Sequence, residues 1–230
     1  MLRNLFWAFL AVLAVSSQPL YAQVADDDAF LLIAQPGLSD ADYRQTVLLA
    51  APAPNGGHVG IILNRPTRRS LGSLFPEHEP SKKVAEPVFY GGPFSRGALV
   101  ALVKAPADPG TGSLQLLKNV YLAFRATVID QIIESTPNNA RYYVGYVGWR
   151  AGELKREIDR GLWNVLDADI DTAFRKNTDG LWEELLQQAR RLHVQAPGLL
   201  GPLTFGTEFV APELGGLPLT LTIALQPVLD

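Results

Sequence analysis

The sequence predicts an α+β or mixed α/β domain, and three observations carry that prediction. Short apolar runs of strand length recur along the chain, most of them ended by Gly, Pro or Asn. Other stretches place their apolar residues at helical spacing. Strands separated by hairpin-like turns are mixed with strands separated by helices, which argues against a uniform βαβ array. The chain has 230 residues, 47% of them hydrophobic and 19% charged, enough for one compact domain with a sizeable core.

The elements follow in order. FLLIA, residues 30–34, reads as a buried strand stopped by the turn signal Gln35-Pro36-Gly37. Ser39 and Asp42 have the spacing of a capping box, which predicts one helical turn over DADYRQ, residues 40–45. TVLLA is a second strand and residues 57–63 a third, joined through the Gly-containing loop APAPNGG as a hairpin. RRSLGSLFPEHEPSKK reads as a polar, irregular surface excursion. PVFY, ALVALVKA and SLQLLKNVYLAF are further strands, the last two separated by PADPGTG. In ATVIDQIIES, residues Val128, Ile129, Ile132 and Ile133 fall on one helix face. RYYVGYVGW returns to strand. Residues 152–160 form a helix with Leu154 and Ile158 on one side, Glu153 in its first turn and Gly161 just beyond its end. LWEELLQQARRL is another amphipathic helix, with His193 after it as a C-terminal cap. Asp167, Asp169 and Asp171 lack the EF-hand pattern and read as a helix-start cap.

Both ends are distinctive. The N-terminus has a basic Arg3, an apolar stretch from Leu5 to Val15 and a short polar segment ending at Ala22, the order of a secretory signal peptide. Its apolar stretch is about half of the roughly 20 residues a bilayer span needs, so no membrane anchor is expected after cleavage at Ala22. This predicts a periplasmic or secreted protein: signal peptide over 1–22, linker over 23–29, domain over 30–195 and an apolar extension over 196–230. Within the extension, Leu217, Leu219, Leu221, Ile223 and Leu225 alternate with other residues, so 217–225 is expected to be a strand. That strand is expected to pair with the main sheet or with a second subunit, making a homo-oligomer.

Composition and motifs exclude several functions. The net charge of −3 supplies no basic field, and no nucleic acid is expected as a partner. With no cysteine, disulfides, thiolate chemistry and Cys-based metal sites are excluded. Three histidines, His58, His78 and His193, have no partner at metalloprotease spacing, and no metal or cofactor is expected. No G-x-S-x-G or phosphate-loop pattern is present.

What remains are residues at strand ends. Asn64 can bond its neighbours' backbone, and Pro66 holds Arg65 extended. Gly91 and Gly92 permit close backbone approach, and Tyr146, Trp149 and Glu153 lie at or just beyond another strand end. If these ends converge, Asn64, Arg65, Gly91, Gly92, Trp149 and Glu153 form a cleft for a small anionic ligand or a protein partner, with Arg65 its charged group. In the alternative, Gly and Asn only shape turns, Trp149 packs a core, and Arg65 pairs with Glu153 or Glu157.

The strings FLLIAQPGLSDADYRQTVLL, GGHVGIILNRP, VFYGGP, VGYVGWRAGELKREIDRGLW and LWEELLQQA, in this order, resemble the AlgH/YqgE family of bacterial proteins. The shared positions are Asp42, Gly60, Asn64, Pro66, Gly91, Gly92, Pro93, Gly148, Trp149, Gly152, Leu154, Glu157 and Trp163. The resemblance implies a compact α+β domain whose mixed, partly barrel-like sheet is surrounded by helices. It implies no agreed catalytic set, since the family's biochemical function is not established; some members are linked to regulation of exopolysaccharide genes. Two departures stand out: Gly152-Glu153-Leu154 replaces the family's usual G-Q-L, and an exported start and an apolar tail are added. Together these observations predict an exported binding protein. The alternatives are a hydrolase-like enzyme using Glu153 or Glu157 near Arg65, and a regulator of gene expression if the N-terminus is retained.

Overall fold

A computed structural model describes residues 29–195. The predicted signal peptide, nearly all of the linker and the strand expected at 217–225 lie outside those residues. Ten strands are present: β1 (Phe30–Ala34), β2 (Val47–Pro52), β3 (His58–Ile62), β4 (Pro66–Ser70), β5 (Pro87–Tyr90), β6 (Phe94–Lys104), β7 (Ser113–Leu117), β8 (Val120–Ala123), β9 (Ala140–Trp149) and β10 (Trp163–Asp167). The helices are α1 (Leu71–Leu74), α2 (Ala126–Ser135), α3 (Glu153–Asp159), α4 (Ile170–Ala173) and α5 (Leu181–Gln195), with 3₁₀ turns at Glu79–Lys83 and Pro137–Asn139.

The long strand β9 organises the sheet. Its C-terminal end pairs antiparallel with β3, as Gly60↔Val147 and His58↔Trp149. Its other edge runs along β6, as Ala101↔Tyr142 and Phe94↔Tyr146. From there the order is β10-β1-β2-β3-β9-β6-β8-β7, antiparallel throughout and curled into a half-barrel. β5 pairs in parallel with β9 where β3 leaves off, and the Ile62 N–H donates to the Gly91 carbonyl at 2.9 Å across that junction. Gly145, at φ 72°, marks the change of partner within β9. The mixed α+β architecture and the partly barrel-like sheet expected from the sequence are both present.

Two apolar cores flank the sheet. The larger gathers β1, β2, β3 and the inward residues of β9 against α5, which buries Leu181, Leu185, Leu186 and Ala189. Each of these buried leucines contributes about 1.5–3 kcal/mol relative to exposure. The Trp182 indole N–H donates to the Ala34 carbonyl at 2.7 Å, fixing α5 to the end of β1. The smaller core lies under α2, whose Val128, Ile129, Ile132 and Ile133 are all buried, the face its periodicity predicts.

Several local expectations change. DADYRQ closes one hydrogen-bonded turn, Arg44 N–H to the Asp40 carbonyl at 2.8 Å, but Asp40 rather than Ser39 stabilises it by accepting from the Asp42 N–H. The Asp42 carboxylate is thereby released for other partners. SLQLLKNVYLAF is a hairpin, folding back at Lys118-Asn119 with Asn119 at φ 62°. The polar excursion holds β4, α1 and a 3₁₀ turn, and it sends Leu71 and Ser81 fully inside. WNVLD forms β10, a strand that its buried Asn164 conceals from pattern reading. Of the three alternating aspartates, Asp169 caps α4, accepting from the Thr172 N–H at 2.8 Å. α5 continues to Gln195, which puts His193 inside the helix.

Candidate functional site

The loop over residues 40–45 is held by two residues just beyond β3, Asn64 and Arg65. Asn64 bridges it to β2: its Oδ1 accepts from the Val47 N–H at 2.9 Å and its Nδ2 donates to the Gln45 carbonyl at 2.9 Å. Gln45 has φ 55°, a conformation that costs a non-glycine residue energy, and Asn64 supplies partners to its carbonyl and to the Val47 N–H that follows. The Arg65 guanidinium spreads over the same loop, with Nη1 donating to the Ala41 carbonyl at 3.0 Å and Nη2 to the Arg44 carbonyl at 2.9 Å. Its own carbonyl accepts from the Tyr90 N–H at 2.8 Å, so Arg65 ties the loop to β5.

That loop delivers Asp42 to a cluster. Asp42 Oδ1 accepts from the Tyr90 hydroxyl at 2.8 Å, and Arg96 Nη2 donates to both carboxylate oxygens at 3.1 and 3.2 Å. The Arg96 guanidinium also lies 5.7 Å from the centre of the Tyr90 ring. Burial, and then the hydrogen bond to Asp42, raise the Tyr90 pKa above that of a free phenol, so Tyr90 is a neutral donor. Arg96 itself is 62% exposed, and at such exposure the ion pair is worth about 0–1 kcal/mol. Its geometry matters more for orientation than for stability.

Next to this cluster the surface turns aromatic. Phe94 stacks over Tyr146 with ring centres 6.2 Å apart, and Phe124 meets the other side of Tyr146 edge-on at 5.6 Å. Phe94 stays 49% exposed. Ser95, at φ 49°, bends the strand between Phe94 and Arg96.

The remaining expected residues serve other contacts. A Cβ on Gly91 would stand 2.2 Å from the Gly145 carbonyl oxygen, and one on Gly92 2.4 Å from that of Tyr146. The close approach they permit is therefore to β9 of their own chain. Trp149 is buried, and its indole N–H donates to Glu157 Oε2 at 3.0 Å. The same oxygen accepts from the Trp163 indole at 2.9 Å. Glu153 turns back to accept from the Arg150 N–H at 2.9 Å, closing the turn that starts α3. Arg65 therefore pairs with neither Glu153 nor Glu157. Tyr43 links the two neighbourhoods: it packs edge-on against Trp163 at 5.9 Å, and burial with the nearby Glu157, Asp40 and Asp42 charges pushes its pKa well above the phenol range.

A second charged group lies deep in the domain. Arg141 is 1% exposed; its Nε donates to Glu86 at 2.7 Å, and its Nη atoms reach the carbonyls of Ala173, Phe174 and Arg175 at the C-terminal end of α4. The Phe89 ring lies 4.6 Å beneath the guanidinium. Among the described residues no group of three or more His, Asp or Glu side chains is placed to hold a metal ion, and no helix is long and apolar enough to cross a membrane.

The sequence reasoning singled out Asp42 for its spacing and missed Tyr90, Phe94, Arg96 and Arg141 as functional or structural polar centres. An arginine heading the apolar strand RYYVGYVGW was the available signal for Arg141.

Comparison with known proteins fixes the family. The model described as AlgH-like matches residues 31–192, most of the chain. The chain belongs to the AlgH-like family. A UPF0301 protein of Thermobifida fusca is 34% identical over 170 residues, covering 69% of this chain and 84% of that protein. A UPF0301 protein of Thioalkalivibrio sulfidiphilus is 32% identical over 157 residues, covering 66% and 83%. Two solved structures share the fold. The Pseudomonas aeruginosa AlgH solution structure superposes with a TM-score of 0.57 at 24% identity, over 76% of this chain and 91% of that one. A Corynebacterium diphtheriae crystal structure gives 0.59 at 17%, over 75% and 94%. The family has no established biochemical activity, so function must be argued from the site.

Proposed function

We propose that this AlgH-like protein is an exported, non-enzymatic binding module that engages a protein partner through Tyr90, Phe94, Arg96 and Tyr146. The observation that carries the reading is Phe94, a large aromatic ring left half in solvent yet already stacked on Tyr146. Aromatic and arginine side chains dominate the energetic centres of protein interfaces, and pre-ordered ones lose less entropy on binding. Asp42 holds Arg96 beside that ring.

In this reading Asn64, Arg65, Gly91, Gly92, Trp149 and Glu153 act as the frame of the site. Asn64 and Arg65 position the loop that carries Asp42, the glycines let residues 90–96 cross β9, and Trp149 and Glu153 secure α3. A small anionic ligand, the other partner expected, would take Arg96 as its cation, because the terminal nitrogens of Arg65 already donate to carbonyls. The hydrolase alternative has no observation in its favour: Glu153 and Glu157 accept hydrogen bonds from a backbone N–H and from two indoles. The regulator alternative requires a retained Met1, since an exported protein does not meet chromosomal DNA.

Two measurements test the proposal. The mature protein recovered from its producing cell is expected to start at Gln23; a start at Met1 overturns export. Phe94→Ala is expected to lose about tenfold or more in affinity for a partner that co-purifies with the unaltered protein, as interface aromatics do. A partner held equally well by Phe94→Ala and by Arg96→Ala overturns the binding surface.

A further inference from the structure

We propose that residues 217–225 of this chain dock in cis as an added strand along the outer edge of β7. The proposal is independent of the partner surface above.

The sheet has three outer strands, and they differ in how well they are defended. β4, PTRRS, carries Pro66 and the exposed Arg68 and Arg69, the kind of proline and charge that keep an edge from pairing. β10 ends in the exposed Asp167 and is contacted by α3 and α5. β7, SLQLL, has neither charge nor proline, and among the described strands it pairs only with β8. A bulge between Gln115 and Leu117 leaves residues 113–115 as its regular stretch.

The apolar core thins out at the same place. Leu114, Leu117 and Phe124, on or beside β7 and β8, all pack against the larger core, yet each remains only half-buried. Leu114 and the buried Leu116 alternate with Ser113 and Gln115, so a neighbouring strand with aliphatic residues at every second position would continue their face.

Residues 217–225 have that pattern. Leu217, Leu219, Leu221, Ile223 and Leu225 alternate with Pro218, Thr220, Thr222 and Ala224, without a charge. A strand with one apolar side needs both a hydrogen-bonding neighbour and a core to cover. Pro218 lies near its start, where a missing N–H costs the ladder least. Residues 196–216 extend by up to roughly 3.3 Å each, enough to reach any edge of a domain this size, and the tether holds the segment at about millimolar effective concentration. The segment lies beyond residues 31–192, which the family model matches.

The chain contains no cysteine, so engineered pairs report without background. In the full chain, Gln115→Cys with Thr220→Cys or Thr222→Cys is expected to form an intramolecular disulfide on mild oxidation, since these positions share the solvent-side face. An Arg68→Cys/Thr220→Cys control on β4 is expected to form it about tenfold more slowly or not at all. Equal rates from β4 and β7, failure of both β7 pairs, or disulfides only between molecules each overturn the proposal, the last assigning the segment to a second copy. Separately, Leu221→Asp in the full chain is expected to speed hydrogen exchange in residues 113–117 about tenfold while leaving 66–70 unchanged. Unchanged exchange in 113–117 overturns it.

Discussion

The two halves of β9 use similar residues for opposite ends. Before Gly145 the strand carries Arg141, Tyr142 and Tyr143, all essentially inaccessible, their charge met by Glu86 and by the carbonyls at the C-terminal end of α4. After Gly145 it carries Tyr146, half-buried, under Phe94 and near the exposed Arg96. Arg141 inside its hydrogen-bond network, with the buried rings of Tyr142 and Tyr143 beside it, holds this part of the domain together. The same residue types, ordered but left in solvent, are what a binding surface needs. The contrast shows that polar and aromatic content says little about function until its partners are known.

The comparison can be broken first at its deep end. Arg141→Ala leaves three carbonyls without their donor and the one-third-exposed Glu86 carboxylate without its cation, and unmet groups of this kind cost about 1–3 kcal/mol each. Urea denaturation is expected to show a loss of that size; a loss below about 1 kcal/mol would mean that the network contributes no more than a surface pair. Gly145→Ala comes next. A Cβ there would stand 2.3 Å from the Gly92 carbonyl oxygen at φ 72°, and strain of this kind costs about 1–3 kcal/mol. Gly97→Ala, where nothing lies within 4 Å, is the matched control and is expected to be silent.

Alkaline pH probes the deep half without mutation. Burial raises the pKa values of Tyr142 and Tyr143 above the free phenol's 10.0, so the folded state holds these protons more tightly than the unfolded one. The stability this contributes is complete below pH 10 and is lost as pH rises above it. The urea midpoint is expected to fall progressively as pH rises from about 10 upward, and a flat profile there would contradict the assignment.

Arg65→Ala is expected to cost less, about 1–2 kcal/mol, because its guanidinium is only half-buried. Partner affinity should fall with it, since the loop carrying Asp42 loses its tie. Arg65→Lys should restore stability only in part, because one ammonium does not reproduce the fork that reaches two carbonyls. At the open end, Phe94→Ala is expected to change stability by less than about 0.5 kcal/mol while weakening partner affinity about tenfold or more. A large loss of stability there would make Phe94 part of the core.

Local signals made most of the fold legible. Apolar runs located β1, β2, β3 and β9, helical spacing located α2 and α5, and an alternating aspartate run pointed to the cap of α4. Long-range pairing was not legible. Asp42 reaches Tyr90 and Arg96, 48 and 54 positions away, and Arg141 meets Glu86 at a separation of 55. No local spacing encodes such contacts. β10 escaped because Asn164, paired to Gln35 through the sheet, interrupts its apolar pattern. The end of an apolar run marked residues 64 and 65, but what they bond to depends on where residues 40–45 return.

Glu157 has an optical consequence. Its Oε2 takes both the Trp149 and Trp163 indoles, and Trp182 is tied to Ala34; these tryptophans of the described domain are 6%, 5% and 9% exposed. Their emission therefore reports the packing of α3 and α5 against the sheet. Unfolding is expected to change it strongly, whereas a partner on the proposed Phe94 surface is expected to leave it unchanged. A binding assay on this protein needs a dye placed on that face, and intrinsic emission then serves as an independent readout that the fold is intact.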